Sequence, residues 1–433
     1  MALAGDWDHD RAFSGQLPTA TMIDSYVPDR PVFIVRYDGH MGVANSRALK
    51  LAGISAATAD PPGGVIVRKP NSKEPAGVLR DNAMDLIDRV IPAPSEAEII
   101  EGVRAALAEC RRYGVTSVQD MDGSDAATRK ALGRLYQQLA RTGQMTLRID
   151  LRWPMANWKE LATLGVEGDF GNDYVRIGGI KGFVDGSIGS STAKMFEPFL
   201  NEPDSTGKWV TPRQQLRDAI IGADKAGISV AIHAIGDEAN ALLLDIFEEA
   251  IKLNGPRDRR FRIEHVQHLR PRDIPRFKEL GVIASMQPYH AIDDGRWVEG
   301  RIGAARCASS YALAWLTKAG AKMAYGSDWS VAPVDALGGI DAAVNRRTLD
   351  GKHPNGWFPE QKITVAEAIE GYTMGSAFAG FQEKDRGSIT PGKLADFVVL
   401  SRDILDPAER DHIAETVVMM TVVGGKIVYE KRD

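Results

Sequence analysis

From Ser95 onward the sequence alternates short apolar runs with helical patterns, and few architectures accept that order. Strand candidates are Val115–Gln119, Met145–Leu151, Val175–Phe183, Ser229–His233, Phe261–His265, Val282–Met286 and Lys322–Tyr325. Helical patterns at Arg213–Lys225, Glu238–Leu253, Pro271–Leu280 and Tyr311–Ala319 separate most of them. Mostly apolar runs suit strands buried on both faces, as in a parallel sheet covered by helices. The expectation is an α/β fold, a TIM-type (β/α) barrel. Such a barrel closes with eight strands, and the candidates number seven.

The flanking segments are less regular. Residues 1–30 look polar and irregular, Arg30–Arg36 is a strand candidate, and Asn45–Leu51 is a short helix ended by Gly53. Pro61–Gly77 is rich in Pro and Gly around Val65–Val67, which predicts an inserted hairpin or lid at about 55–80 rather than core. Ser95 with Glu98 forms a capping-box pattern that opens a helix through Arg112, closed by Gly114. A further helix is predicted from Thr364 to about Phe378. Beyond Gly387, Phe397–Leu400, Thr416–Val423 and Lys426–Tyr429 are short strands, the last two joined by Gly424-Gly425. The expected organisation is a hydrolase barrel over 1–386 and part of a small β-sandwich domain over 387–433.

Composition narrows the partners. The chain has 433 residues, 44% hydrophobic and 26% charged, with a formal charge of −5. It carries no basic footprint for nucleic acid or anionic membrane, so its partner is expected to be a small molecule. Two cysteines, Cys110 and Cys307, support no disulfide framework. No run approaches the roughly 20 apolar residues of a membrane span, and Met1–Gln16 lacks the apolar core of a signal peptide. A cytoplasmic location is the expectation.

One buried charge stands out. Lys181 lies inside the apolar run Val175–Phe183, where an unpartnered ammonium is costly. Functional residues of a (β/α) barrel sit at the C-terminal strand ends. Those ends offer Lys181, His233, His265, Gln287 and, just past the last strand, Asp328. A lone strand-end His is more often a hydrogen-bonded core or surface residue, and a lone Gly-Ser-Asp is more often a turn. Their conjunction on one rim gives the vocabulary of a metal site.

The wording of these segments resembles the amidohydrolase superfamily. Lys181 to Thr192, Ile263-Glu264-His265-Val266-Gln267 and Gly326-Ser327-Asp328-Trp329 are similar to amidohydrolase family 3, the branch that includes N-substituted formamide deformylases. Arg36-Tyr37-Asp38-Gly39-His40, Asn45-Ser46-Arg47-Ala48-Leu49 and Gly387 to Phe397 agree. The resemblance implies hydrolysis of a C–N bond in a small-molecule amide, N-formyl amine or cyclic amide. It implies one or two divalent metals, zinc first, with a carbamylated Lys181 as bridging ligand. His233 and His265 would be neutral metal ligands, and Asp328 would bind or face the metal and act as general base.

One motif departs from the family pattern. Its His-x-His pair is absent among the eight histidines at 9, 40, 233, 265, 268, 290, 353 and 412. That agrees with the strand count, which is short by the first strand. The expectation is a chain lacking the first βα unit and part of the small β domain, on the order of a hundred residues. His233, His265, Asp328 and Lys181 would then serve a single metal, and the chain would be weakly active or inactive. Apolar surface beside an unclosed barrel would favour a homo-oligomer. A Schiff-base aldolase using Lys181 is the competing enzyme reading, although it leaves the histidines and Asp328 unexplained.

Four further residues are candidates for substrate contact. His40 either reaches the pocket or follows a turn made by Asp38 and Gly39. His290 lines the pocket or is ordinary. Asp185 orients the lysine loop, binds substrate or belongs to an Asp-Gly turn. Trp329 walls the pocket or packs. His268 is expected to cap or face solvent, and His9, His353 and His412 to lie on the surface.

Overall fold

The computed structural model describes residues 1–9, 15–121, 126–168 and 170–432. They gather into two compact units. The first comprises Met1–Pro94, Phe183–Arg213 and Trp297–Gly303; the second comprises Ser95–Gly182, Gln214–Arg296 and Ala304–Asp433.

The first unit is built on a five-stranded sheet of β1 (Ala2–Trp7), β2 (Val32–Arg36), β3 (Met41–Ala44), β4 (Gly64–Arg68) and β5 (Pro75–Asp81), in the order β1-β2-β3-β5-β4. Strands β1 and β2 are parallel and the other neighbours antiparallel. Two expectations are corrected here. The hairpin β4–β5 is present, yet it is core: Ile66, Val78 and Leu79 are 2%, 1% and 0% exposed. Burying such side chains stabilises by about 1.5–3 kcal/mol each, so this is no detached lid. The Pro and Gly of the flanks conceal β5 because they mark its turns, while its interior is apolar. Residues 1–30 also hold more order than their polarity predicts, in β1 and in the helix Ala20–Asp24, which Thr19 caps through its hydroxyl.

The second unit carries the parallel sheet. Its strands are β6 (Ser117–Asp120), β7 (Arg148–Pro154), β8 (Phe170–Gly171), β9 (Val175–Phe183), β10 (Val230–Ala234), β11 (Arg262–His265), β12 (Ile283–Met286) and β13 (Lys322–Tyr325). The hydrogen-bonded path runs β13-β12-β11-β10-β9-β7-β6, with β8 antiparallel on β9. These seven strands on the path are the seven that periodicity predicts. The helix Glu96–Arg112 starts as expected: Ser95 Oγ accepts from the Glu98 N–H, and Glu98 Oε2 accepts from the Ser95 N–H at 2.7 Å. Its Val103, Leu107 and Cys110 fall on one face and join Leu147, Ile149 and Leu151 in the core.

The sheet is curled, and one contact demonstrates it. The Arg262 guanidinium on β11 donates to Gln119 Oε1 on β6, although β10, β9 and β7 lie between them in the sheet. Only a concave sheet brings these side chains together, which is the half-barrel form of the expected TIM architecture. Gly178 on β9 serves the same interior, since a Cβ there would lie 1.6 Å from an Asp150 carboxylate oxygen.

Two helices differ from prediction. The segment at Pro271 begins as a 3₁₀ turn, Pro271–Asp273, before the helix Ile274–Glu279. The stretch after Thr364 is Val365–Glu370, a π turn over Gly371–Gly375, then Ser376–Ala379. Added Cβ atoms at Gly371 and Gly375 would lie 2.2 Å from the Tyr325 ring and 2.1 Å from the Met323 carbonyl, so the glycines let this helix approach β13. The unit ends in an antiparallel sheet of β14 (Phe397–Leu400), β15 (Val418–Val423) and β16 (Lys426–Glu430). Gly424 and Gly425 both have positive φ, 58° and 75°, as a tight primed hairpin turn requires.

Candidate metal centre

The second unit gathers ligand-type side chains at the C-terminal ends of consecutive strands. His265 is the last residue of β11, His290 lies in the helix Pro288–Asp294 that follows β12, and Asp328 lies just past β13. One ligand atom from each lies within 4.8 Å of the others. His290 Nε2 is 3.9 Å from Asp328 Oδ2. Four-coordinate zinc, with bonds of about 2.1 Å, sets its ligands roughly 3.4 Å apart, so two imidazoles and a carboxylate at this wider span would fill three positions once the side chains close by about 0.5–1.4 Å, with a fourth left for water or substrate.

The local backbone explains how His265 reaches the cluster. In a regular strand, alternate residues share a face, so His265 would follow Ile263 rather than Glu264. His265 and Val266 instead have φ of 78° and 51°, which breaks the alternation at the strand end. Asp328 also has positive φ, 59°. Left-handed geometry at non-glycine residues costs of order 1–3 kcal/mol each, and here it falls on two of the three cluster residues.

The other predicted residues of this unit stand as follows. His233, on β10, is 1% exposed and meets the His265 ring edge-on at 4.5 Å between centroids. It therefore joins by ring contact, whereas His290, expected to line the pocket, supplies a ring nitrogen to the cluster. Lys181 is buried on β9, and burial lowers its pKa from the ordinary lysine value, against the pull of the Glu264 and Asp328 charges. Trp329 is 45% exposed beside Asp328.

Sequence reasoning missed the polar layer beneath the rim. Arg262 pairs with Glu264 at 2.6 Å, and Ser285 Oγ donates to Glu264 Oε2 at 2.7 Å. Burial raises the Glu264 pKa, but Arg262, Lys181 and Ser285 outweigh it and hold the carboxyl below its ordinary value. Arg152 lies 3.6 Å from Asp150 and donates to Ser229 Oγ at 3.1 Å. The signal was available: Asp150 with Arg152, and Arg262 with Glu264, are charges two apart in otherwise apolar strands, as costly to bury unpaired as Lys181.

His40 and Asp185 belong to the first unit. His40 Nδ1 is 2.7 Å from Asp81 Oδ1; burial opposes its protonation, but Asp81, Asp38 and Asp185 raise its pKa above the ordinary value. Asp185 is fully buried and accepts the Lys194 N–H at 2.7 Å, which ties a turn. His9, expected at the surface, and His268, expected to cap or face solvent, are each 2% exposed. His9 Nε2 meets Arg301 at 2.9 Å, and His268 Nδ1 meets Ser310 Oγ at 2.6 Å.

A histidine–carboxylate cluster at the strand ends of a curled parallel sheet defines the class of metal-dependent hydrolases with TIM-barrel architecture. Within that class, the model described as "Amidohydrolase family" matches residues 1–429, and the chain belongs to this family. Protein LONG AFTER FAR-RED 3 of Arabidopsis thaliana is 39% identical over 434 residues, spanning 99% of this chain and 73% of that protein. The N-substituted formamide deformylase of Arthrobacter pascens is 26% identical over 425 residues, spanning 96% of this chain and 76% of that protein. An uncharacterized metal-dependent hydrolase from Pyrococcus horikoshii superposes with a TM-score of 0.73 at 28% identity, covering 93% of this chain and 77% of that one. Family and neighbours support a divalent metal as cofactor.

Proposed function

We propose that this chain hydrolyses the C–N bond of a small-molecule amide, an N-formyl amine, N-acyl amine or cyclic amide. The observation that carries the reading is the convergence of His265, His290 and Asp328 on one point. The three would hold a divalent ion, zinc by the donor set of two imidazoles and a carboxylate, with His233 and a carbamylated Lys181 as further ligands from β10 and β9. When bound, the ion supplies Lewis acidity that polarises the amide carbonyl and acidifies water.

The chain's own residues handle the protons. Asp328 accepts a proton from the attacking water and returns it to the departing amine, so that the C–N bond breaks to a carboxylic acid and an amine. His290 Nε2, 3.9 Å from Asp328 Oδ2, lies beside the carboxylate as a second ligand for the same ion. Trp329 offers an apolar wall at the same loop, suited to the hydrocarbon part of a substrate. A Schiff-base aldolase on Lys181 would leave the three-residue cluster without a task.

The test is a panel of N-formyl amines, N-acyl amines, cyclic amides, esters and phosphoesters incubated with zinc-loaded protein, with amine release and acid release quantified. Weak turnover of at least one amide class, abolished by chelation and restored by zinc, is expected, because the His-x-His pair of the family pattern is absent. Turnover of esters or phosphoesters with none of any amide would overturn the reading.

A further inference from the structure

The segments that carry His265 and His290 also carry members of a buried hydrogen-bonded triad. Gln267, Asp294 and Tyr311 are 4%, 9% and 1% exposed. Gln267 Nε2 donates to the Tyr311 hydroxyl at 2.6 Å and to Asp294 Oδ2 at 3.3 Å, and the Tyr311 hydroxyl donates to the same Asp294 oxygen. The Tyr311 N–H also donates to the Gln267 carbonyl at 2.7 Å. These three residues come from separate parts of the chain, and each of the first two lies close in sequence to a cluster histidine.

Gln267 follows His265 by two residues, just past the left-handed pair His265 and Val266. Asp294 follows His290 by four residues in the helix Pro288–Asp294, so both side chains lie on one helix face a turn apart. Tyr311 bridges them. Its own segment is fastened: Ser310 Oγ meets His268 Nδ1 at 2.6 Å, Ser309 Oγ donates to the Leu269 carbonyl at 2.5 Å, and Arg346 donates to the Tyr311 carbonyl at 3.2 Å.

We propose that Tyr311, with Gln267 and Asp294, is a positioning device that fixes the spacing between His265 and His290. The inference rests on the reading that these histidines hold a metal. The strained backbone at His265 needs outside support, and a hydrogen-bonded hydroxyl buried between the two ligand-bearing segments supplies it. Loss of the hydroxyl lets the helix carrying His290 shift against the end of β11, and ligand geometry loosens before the fold does.

The experiment compares the unmodified protein, Tyr311→Phe, His265→Ala and Tyr136→Phe. The last loses a phenol hydroxyl from the second unit's core, where it donates to Asp120 at 3.2 Å. Zinc affinity is read by competition with a chelator, Co2+ coordination by visible absorption, and folding by thermal melting. Tyr311→Phe is expected to raise the zinc Kd about 10–100-fold and shift the Co2+ band while remaining folded. Tyr136→Phe should leave both unchanged. Tight binding by the unmodified protein, lost in His265→Ala but unaltered in Tyr311→Phe, would overturn the positioning role and leave the metal site standing. Absence of binding by the unmodified protein would overturn both. If Tyr311→Phe fails to fold, Gln267→Leu gives the same readouts without removing the ring.

Discussion

Asp328→Asn lowers kcat for amide hydrolysis by about 10²–10⁴-fold at saturating divalent metal, because the amide keeps the shape of the carboxylate but cannot take the proton of the attacking water. The loss is expected in kcat more than in KM, since the missing interaction belongs to the transition state. Asp328 lies in a loop and its side chain is 34% exposed, so stability should change by only about 0.5 kcal/mol. Steady-state kinetics with parallel metal analysis separates the two losses this variant can cause. An undiminished kcat would remove Asp328 from the chemistry and reduce it to a turn residue.

The largest expected effect on stability lies elsewhere in the same unit. Arg148 on β7 makes a two-pronged pair with Asp396, Nε to Oδ2 at 2.6 Å and Nη2 to Oδ1 at 2.8 Å, and donates to the Asp173 carbonyl at 3.0 Å. Both side chains are almost fully buried, at 2% and 4% exposed. Arg148→Ala leaves the buried Asp396 carboxylate with the Gly424 N–H at 2.7 Å but without its paired guanidinium, and the expected cost is about 3–5 kcal/mol. The double variant Arg148→Met with Asp396→Leu removes the stranded charge and should lose much less, because a buried pair stabilises little over well-packed apolar groups. Urea unfolding of both variants checks this. Equal losses would mean that Arg148 acts through packing alone.

How far the sequence carried the structure depended on the kind of constraint. Strands β9 and β13 and the helix Glu96–Arg112 have the limits that apolar runs and the Ser95–Glu98 box predict, because those signals are local. The first unit was poorly legible, since β1 pairs with β2 across some 30 residues and Gly and Pro mask the core strand β5. The rim rule singled out His265 and Asp328, two of the three residues that cluster, whereas His290 reads in the sequence only as a candidate pocket residue, because this side chain comes from a helix after β12 and its approach to Asp328 depends on tertiary packing. Curling of the sheet hid the Arg262–Gln119 contact for the same reason: residues 143 apart meet only once the strands between them are laid down. His9 looked exposed from its polar neighbours, yet it is buried against Arg301, and His268, read as capping or facing solvent, is buried with Nδ1 against Ser310.

Whether His265, His290 and Asp328 hold a metal is decided by metal content per chain, by plasma emission spectrometry, for the unmodified protein and for His265→Ala and His290→Ala purified without chelator. One to two equivalents of a divalent metal in the unmodified protein, falling well below one in both variants, is the predicted result. A metal-free unmodified protein, or metal retained in full by both variants, would contradict the assignment of His265, His290 and Asp328 as the site.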